Sequence, residues 1–480
     1  MTKFEMSGER NLTMLTDLYQ LTMANGYFEC GMNMRRAAFD LFYRGGGGYP
    51  YAVAAGLEQA VEYISKLHFS ADDISYLASL GIFGEKFLAA LKDFRFTGDI
   101  KAVPEGTVVF PGEPIVSVRA PLWEAQLVET ALLTLINHQT LIATTAARLS
   151  ACTDSAILEF GLRRAQGPDA GVYGARAAYI GGCRSTSNVL AGQMFGIAVK
   201  GTHAHSWVMA FPSELEAFRA YAAAYPDGCL LLVDTYDTLG SGVPNAIKVF
   251  DELKAAGHKP IGIRLDSGDL AYLSREARKM LDAAGHSDCK IYASNDIDEK
   301  VLLSLGMQHA AIDVYGIGTK LITSYGNASL GGVYKLCAIE ENGVMVPRCK
   351  VSDTHEKTTN PGLKKVLRIY KDGMAAADLI CLEDEEFDTS EPLTIFHPEQ
   401  IYKRKTFRKY ELRPLLTDIF REGELVYDLP SLEEIGAAAD RSLAEFFPEY
   451  KRVVNTQYYK VDLSEKLWML KTELLSAEHS

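Results

Sequence analysis

Six consecutive residues, Gly201-Thr202-His203-Ala204-His205-Ser206, bring two imidazoles and two hydroxyls together beside a glycine. An apolar run, Phe195 to Val199, leads into them and reads as a buried strand ending in a polar tip. His205 is the first candidate for chemistry, because a neutral imidazole nitrogen is a competent nucleophile. The plainer reading is a histidine that only hydrogen-bonds in a loop. Further along, Arg264-Leu265-Asp266-Ser267-Gly268-Asp269 sets one cation and two carboxylates on a single loop. Such a set suits an anionic substrate with a ribose or Mg²⁺, or else is a salt-bridged loop. Gly318-Thr319 offers bare backbone N–H groups at a helix start, a natural phosphate cradle. No Walker motif accompanies it, so a nucleotide would be held without a P-loop. Asp234, at another strand end, could orient an imidazole. Arg163 and Arg164, adjacent after an apolar strand, suggest an anion.

The elements that must carry these residues recur. Strand candidates stand at Ala156–Phe160, Ile197–Val199, Leu230–Val233, Ile261–Ile263, Lys290–Ala293 and Ala311–Val314. Helical stretches between them stop at Gly257, Gly285 and Gly306. Strand, polar tip, helix, glycine, strand is the grammar of a parallel sheet with helices outside. A polar cluster follows every strand. Those clusters share one site only if the strands form a ring, which is the C-terminal mouth of a (β/α) barrel. The expected fold is therefore α/β: an irregular (β/α) barrel over residues 131–335, an N-terminal α+β domain over 1–130, and a C-terminal flap and helical region over 336–480.

In the N-terminal region, Thr16 can cap a helix that Gly26 can end, with Tyr19 on its first turn in a helix–sheet interface. Tyr51 to Leu67 has helical spacing. Ala38 to Arg44 is strand-like and runs into four glycines; Arg44 could close on an anion or lie on the surface. In the C-terminal region, Lys350 to Lys371 is the most basic stretch, with Lys350, Lys357 and Lys364 among its cations. A cationic flap over a pyrophosphate and a solvated loop are both open readings. Leu379 to Pro392 is acidic and expected to be exposed.

At 480 residues the chain implies about two or three domains. A formal net charge of −13 argues against a nucleic-acid partner, which wants a basic face. Eight scattered cysteines, with no C-x-x-C, fit a reducing cytoplasm and neither a disulfide framework nor a zinc site. Residues 1–10 lack the apolar core of a signal peptide, and Ala125–Leu149, interrupted by Glu129, Asn137, His138 and Arg148, reads as a buried helix and not a membrane span.

Several of these motifs, taken in order, resemble the nicotinate phosphoribosyltransferase family, among the type II phosphoribosyltransferases. They are Leu15-Thr16-Asp17-Leu18-Tyr19-Gln20, Glu159 through Asp169, Ser187 through Gly192, Gly201 through Ser206, Arg264 through Leu270, and Gly316 through Thr319. The resemblance implies transfer of phosphoribosyl from 5-phosphoribosyl-1-pyrophosphate to nicotinate, a salvage step toward NAD. It implies coupled ATP hydrolysis through a transient phosphohistidine at His205, with Asp234 as its partner. Tyr19 of one subunit of a homodimer and Phe160 of the other would sandwich the pyridine ring. Arg264 and Thr202 would meet the carboxylate, and Arg163 would lie near the ring or the phosphates. Gly318 and Thr319 would hold the 5′-phosphate, and Asp266 the ribose hydroxyls. Arg44, Lys350, Lys357 and Lys364 are candidates for the pyrophosphate, with Mg²⁺ assisting its departure. The related nicotinamide enzyme carries an aspartate near the position of His203. A carboxylate there would repel nicotinate; a histidine does not, and attracts the acid if protonated, which favours nicotinate over nicotinamide as substrate.

Overall fold

The computed structural model describes residues 10–45, 49–350, 358–400 and 402–477, so Lys357 lies outside the described residues. Two compact units divide the chain. One comprises residues 145–328; the other comprises 1–144 and 329–480.

The unit of residues 145–328 is built on seven parallel strands: β1 (Ala156–Glu159), β2 (Ser185–Thr186), β3 (Ala198–Val199), β4 (Leu230–Leu232), β5 (Gly262–Leu265), β6 (Lys290–Asn295) and β7 (Val314–Ile317). Their order is β3-β2-β1-β7-β6-β5-β4. Leu230–Leu232 is buried throughout, as a strand covered on both faces must be. Helices Pro168–Ile180, Val189–Phe195, Glu214–Ala224, Val243–Ala255, Leu270–Ala283 and Glu299–Met307 connect the strands. This is the expected mixed α/β architecture, and its irregularity has a location. Strands β3 and β4 stand at the two edges, and among the described residues no backbone ladder joins them. The sheet is an open half-barrel, with its seam between β3 and β4.

Several boundaries differ from the sequence expectation. The run Phe195–Val199 is not a buried strand. Asn188 caps a helix that includes Phe195, and Gly196 closes it at a φ of +71°. Only Ala198 and Val199 remain for β3, and both are exposed. The last strand begins at Val314 and not Ala311, because the Asp313 carboxylate accepts the Ile291 N–H and the Lys290 ammonium at the strand entry (both 2.9 Å). Gly306 lies inside its helix, whose left-handed closing residue is His309 at a φ of +52°.

The other unit holds two sheets. The first is antiparallel and runs in the order Val344–Pro347, Gly332–Glu341, Arg36–Tyr43, Val116–Pro121, Asp99–Ala102, Thr417–Arg421 and Glu424–Leu425. The second contains Lys364–Lys371 between Met374–Leu382 and Glu411–Pro414. Thus the C-terminal half of the basic stretch is a buried strand and neither a flap nor a solvated loop. The acidic stretch is likewise anchored: Leu379–Leu382 is strand, and Glu383 accepts from Lys101 (2.7 Å) and Arg119 (2.5 Å). Beyond the strand, Asp384, Glu386 and Asp388 are exposed, as expected. The N-terminal helix is Leu18–Glu29, capped at Asp17 and not Thr16. It passes through Gly26, because the left-handed position after it falls on Gly31. Residues 51–67 divide into a short strand, Ala52–Val53, and a helix, Leu57–Ser65. The long apolar segment forms helices Leu122–Leu127 and Glu129–Ser150, and no helix among the described residues is long and apolar enough to cross a membrane.

Two ion pairs lie in this unit's interior. Arg368 donates to both oxygens of Asp378 (2.8 and 2.7 Å) and to the Val108 carbonyl (2.8 Å). Lys364 Nζ lies 2.8 Å from Asp40 Oδ2, with both side chains buried. Burial would lower the Lys364 pKa, but Asp40 outweighs it and the net direction is upward. Lys365, adjacent and on the opposite strand face, meets the exposed Glu386 at 3.4 Å. Lys364→Ala leaves Asp40 buried without its cation, so unfolding in urea should show a loss of about 3–5 kcal/mol. Lys365→Ala should cost at most about 1 kcal/mol. Because the Lys364 pKa is raised, its contribution is complete below the unfolded lysine value of about 10.4 and is lost only as pH rises through the folded value. The difference between the two variants should therefore stay constant across neutral pH.

Candidate active site

The C-terminal ends of the parallel strands bring Phe160, Thr202, His205, Asp234, Arg264 and Asp266 to one end of the half-barrel. Parallel pairing dictates this, since every strand ends on the same side. A cavity of about 70 Å³ lies among the strands, with Phe160, Thr202, Arg264, Ser294 and Gly316 in its wall.

Phe160 follows β1 and packs against Gly316, where an added Cβ would approach its ring to 2.6 Å. Gly318 is equally confined: a Cβ there would come within 2.9 Å of the Phe160 carbonyl oxygen. The turn is tied down by Glu159, whose buried carboxylate accepts from the Gly161 N–H and the Thr186 hydroxyl. Burial raises the pKa of Glu159, against the pull of those two donors.

Arg264 lies on β5 with its guanidinium 5.7 Å from the centre of the Phe160 ring. Its Nε donates to Ser294 Oγ (2.8 Å) and one terminal nitrogen donates to Asp266 Oδ1 (2.9 Å). The Ser294 hydroxyl in turn donates to Asp266. Burial alone would raise the Asp266 pKa, but Ser294 and Arg264 reverse the direction and hold the group ionised. The geometry is a flat aromatic face beside a cation that is aimed by its own hydrogen bonds.

His205 is the first residue of the short helix His205–Met209. Its Nδ1 lies 3.1 Å from Thr235 Oγ1. Its Nε2 faces two carboxylates, Asp234 Oδ1 at 3.9 Å and Asp266 Oδ2 at 3.8 Å. Carboxylates on that side favour the tautomer with the proton on Nε2, so Nδ1 accepts from the Thr235 hydroxyl. Asp234 is buried and held by the Asp266 N–H (2.8 Å) and the Ser267 hydroxyl (2.6 Å) on its other oxygen. Its Oδ1 has no hydrogen-bond partner among the described residues.

His203 does not repel an acid, as expected, but the expected attraction by a protonated ring is corrected. Its Nε2 accepts the Leu232 N–H at 3.2 Å. Burial pushes its pKa down to about 4, with the nearby Arg264 and His205 charges pushing the same way and the Ala204 carbonyl opposing them. The ring is neutral at physiological pH and supplies no charge to attract a carboxylate. Thr202 also bonds within the fold, its hydroxyl donating to the Leu230 carbonyl (2.5 Å).

The remaining candidates lie elsewhere or at the margin. Thr319 opens a four-residue helix after β7, and Arg163 is exposed on the short turn Leu162–Arg164. Tyr19, Arg44, Lys350 and Lys364 belong to the other unit. Tyr19 is exposed there and its hydroxyl reaches Glu129 at 3.3 Å. Lys350 is exposed, whereas Lys364 is held by Asp40. Arg44 and Lys364 line one cavity of about 480 Å³ in that unit. Sequence reasoning placed Thr235, Ser294 and Glu159 in strand-tip clusters but assigned them no role. The available signal for Ser294 was a hydroxyl immediately after the apolar run of β6; Thr235 stood in a tip already noted for Asp234.

Comparison with known proteins bears on all of this. Family models described as the nicotinate phosphoribosyltransferase N-terminal domain, family and C-terminal domain match residues 14–137, 155–382 and 363–471. Nicotinate phosphoribosyltransferase of Bacillus subtilis (strain 168) is 48% identical over 470 residues, covering 96% of this chain and 95% of its own. The Homo sapiens protein of that name is 36% identical, covering 97% of each chain. The crystal structure of human nicotinic acid phosphoribosyltransferase superposes with a TM-score of 0.85, at 35% identity, over 96% of this chain and 99% of its own. Matched over nearly its whole length by sequence and by structure, the chain belongs to the nicotinate phosphoribosyltransferase family.

Proposed function

We propose that this protein transfers phosphoribosyl from 5-phosphoribosyl-1-pyrophosphate to nicotinate, giving nicotinate mononucleotide and pyrophosphate, with ATP hydrolysis coupled through a phosphorylated His205. The observation that carries the reading is the Phe160–Arg264 pair in the cavity wall, beside a histidine that faces two carboxylates. A pyridine ring suits the phenyl face, and stacking contributes about 0.5–1.5 kcal/mol beyond area. The other terminal nitrogen of Arg264, without a hydrogen bond among the described residues, suits the carboxylate of the acid. Nicotinamide, the alternative substrate, would offer that nitrogen only a neutral acceptor.

In the glycosyl transfer, the pyridine nitrogen attacks the anomeric carbon as pyrophosphate leaves. The enzyme's task is to align the two and stabilise the charge that separates. Gly318 and Thr319 would cradle the 5′-phosphate, and Asp266 the ribose hydroxyls. Mg²⁺ bound with the pyrophosphate would supply charge neutralisation at the leaving group. Asp234 Oδ1, buried and unpartnered among the described residues, and Asp266 Oδ2 are the hard oxygens fitted to hold it. Among the described residues no cluster of three or more His, Cys, Asp or Glu side chains could hold a metal. The cation would therefore complete its shell with substrate phosphates and water. The Arg44 Nε is buried without a partner among the described residues, which supports Arg44 as a phosphate contact, whereas the Lys364 ammonium is committed to Asp40.

For the ATP half-reaction, an imidazole nitrogen of His205 attacks the γ-phosphorus, the bond to the bridging oxygen breaks, and ADP leaves. Water later returns the phosphoryl group as phosphate. A homodimer with shared sites also belongs to the proposal. Leu15, Leu18, Tyr19 and Met23 are exposed apolar residues at the N-terminal helix, a surface suited to burial against a second copy. The enzyme is read as cytoplasmic.

His205→Ala should abolish transfer of label from [γ-³²P]ATP to protein and the nicotinate-stimulated release of phosphate, while circular dichroism stays unchanged. Persistence of both signals would contradict the phosphohistidine. Arg264→Met should lower kcat/KM for nicotinate by about 10- to 100-fold, the loss of one charged hydrogen bond. An unchanged value would remove Arg264 from the carboxylate site. Mixing the impaired Tyr19→Ala and Arg264→Met chains, with subunit exchange demonstrated, should give more activity than either variant alone; no gain would contradict the shared site.

A further inference from the structure

Strands β3 and β4 form the edges of the half-barrel and lack a connecting ladder. Side chains bridge that gap. The Thr202 hydroxyl donates to the Leu230 carbonyl at 2.5 Å, and the Leu232 N–H donates to His203 Nε2 at 3.2 Å. Leu232 stands on an edge strand, where a backbone N–H would otherwise face an open seam. The imidazole supplies the missing acceptor. Tyr221, on the helix Glu214–Ala224, packs its ring against His203 with centroids 4.7 Å apart and also bonds the Thr202 side chain. The helix that begins at His205 is fixed to the same support, since Trp207 Nε1 donates to the Ala217 carbonyl (3.0 Å).

Position along the chain gives this bridge its consequence. His203 precedes His205 by two positions, and Leu232 precedes Asp234 by two. The His203–Leu232 hydrogen bond thus joins the two segments two residues before the contacts of His205 with Asp234. Both strand tips leave from the two ends of one hydrogen bond.

We propose that His203 is a positioning residue: by closing the seam through Leu232 it sets the separation of the two tips, and so holds His205 Nδ1 on Thr235 and Nε2 on Asp234. This rests on His205 being the phosphoryl acceptor. It assigns His203 a role apart from the choice between nicotinate and nicotinamide. The acceptor must carry a lone pair on Nε2, so the ring has its proton on Nδ1, which lies 3.4 Å from the Ala204 carbonyl. The lowered pKa, which keeps the ring neutral, agrees with that requirement.

Two substitutions separate the hydrogen bond from the packing. His203→Phe keeps a ring against Tyr221 and removes the acceptor. His203→Gln keeps an acceptor, its side-chain oxygen, near the Nε2 position. The full-length enzyme should be assayed for labelling of His205 by [γ-³²P]ATP, for kcat and KM with nicotinate, and for its ratio of activity on nicotinate to nicotinamide. In His203→Phe the labelling rate and kcat should fall by about 10- to 100-fold, as expected for a misplaced reacting group, with KM for nicotinate and the substrate ratio unchanged. His203→Gln should recover most of the loss. In the wild type, ¹⁵N spectra of ring-labelled histidine should show His203 at neutral pH with a protonated Nδ1 and a bare, hydrogen-bonded Nε2.

The proposal is overturned if His203→Phe keeps the wild-type labelling rate, if its defect lies in KM or in the substrate ratio, or if His203→Gln is no better than His203→Phe. It is also overturned if the His203 ring carries its proton on Nε2. Failure of the wild type to label at all would instead overturn the phosphohistidine, leaving the ring spectra as the test of the seam.

Discussion

Arg264 is useful as an anion receptor only if its cation is kept in the fold, aimed, and left with a free donor. The chain through Ser294 and Asp266 meets all three conditions. Ser294 takes Nε, Asp266 takes one terminal nitrogen, and the Ser294–Asp266 hydrogen bond fixes the carboxylate that balances the charge. A buried guanidinium without these partners would carry a desolvation cost of several kcal/mol. With all its nitrogens bound to protein, it would have nothing left for a substrate. The parallel sheet makes the compromise possible, because β5 and β6 present Arg264 and Ser294 from neighbouring strands.

The same two-sided constraint governs His205. Its Nδ1 contacts a hydroxyl and its Nε2 faces two carboxylates, so the tautomer is set by the surroundings and not by the ring. Asp266 serves both residues: one oxygen steadies Arg264 and the other faces His205. The cationic receptor and the histidine are thereby linked through one carboxylate. This is a physical route by which a change at the imidazole can be felt at the Arg264 site.

Much of this was legible in the sequence where one physical requirement acted alone. Leu230–Leu232 is apolar because a covered parallel strand needs it, and Gly257 and Gly285 end their helices at φ values of +87° and +80°. Gly26 and Gly306 misled for the same reason in reverse. The left-handed position fell on Gly31 and His309, and nothing in local composition distinguishes a closing glycine from a tolerated one. Adjacent Lys364 and Lys365 were indistinguishable as letters, yet a strand's alternation buries one on Asp40 and exposes the other to Glu386. The site's residues were legible as strand-tip clusters, but their pairings were not. That Thr235 contacts His205, and that His203 bonds backward to Leu232, depends on side-chain direction across the seam, which spacing does not encode.

The central claim is that the Phe160–Arg264 cavity accepts a pyridine bearing a negative charge. Its most direct test is a competition in one vessel: the enzyme with 5-phosphoribosyl-1-pyrophosphate, Mg²⁺, ATP, and equal concentrations of nicotinate and nicotinamide, with both mononucleotides quantified at early times. The account expects nicotinate mononucleotide to exceed nicotinamide mononucleotide by about 10- to 100-fold, the discrimination that one charged hydrogen bond provides. Comparable amounts of the two products would contradict it.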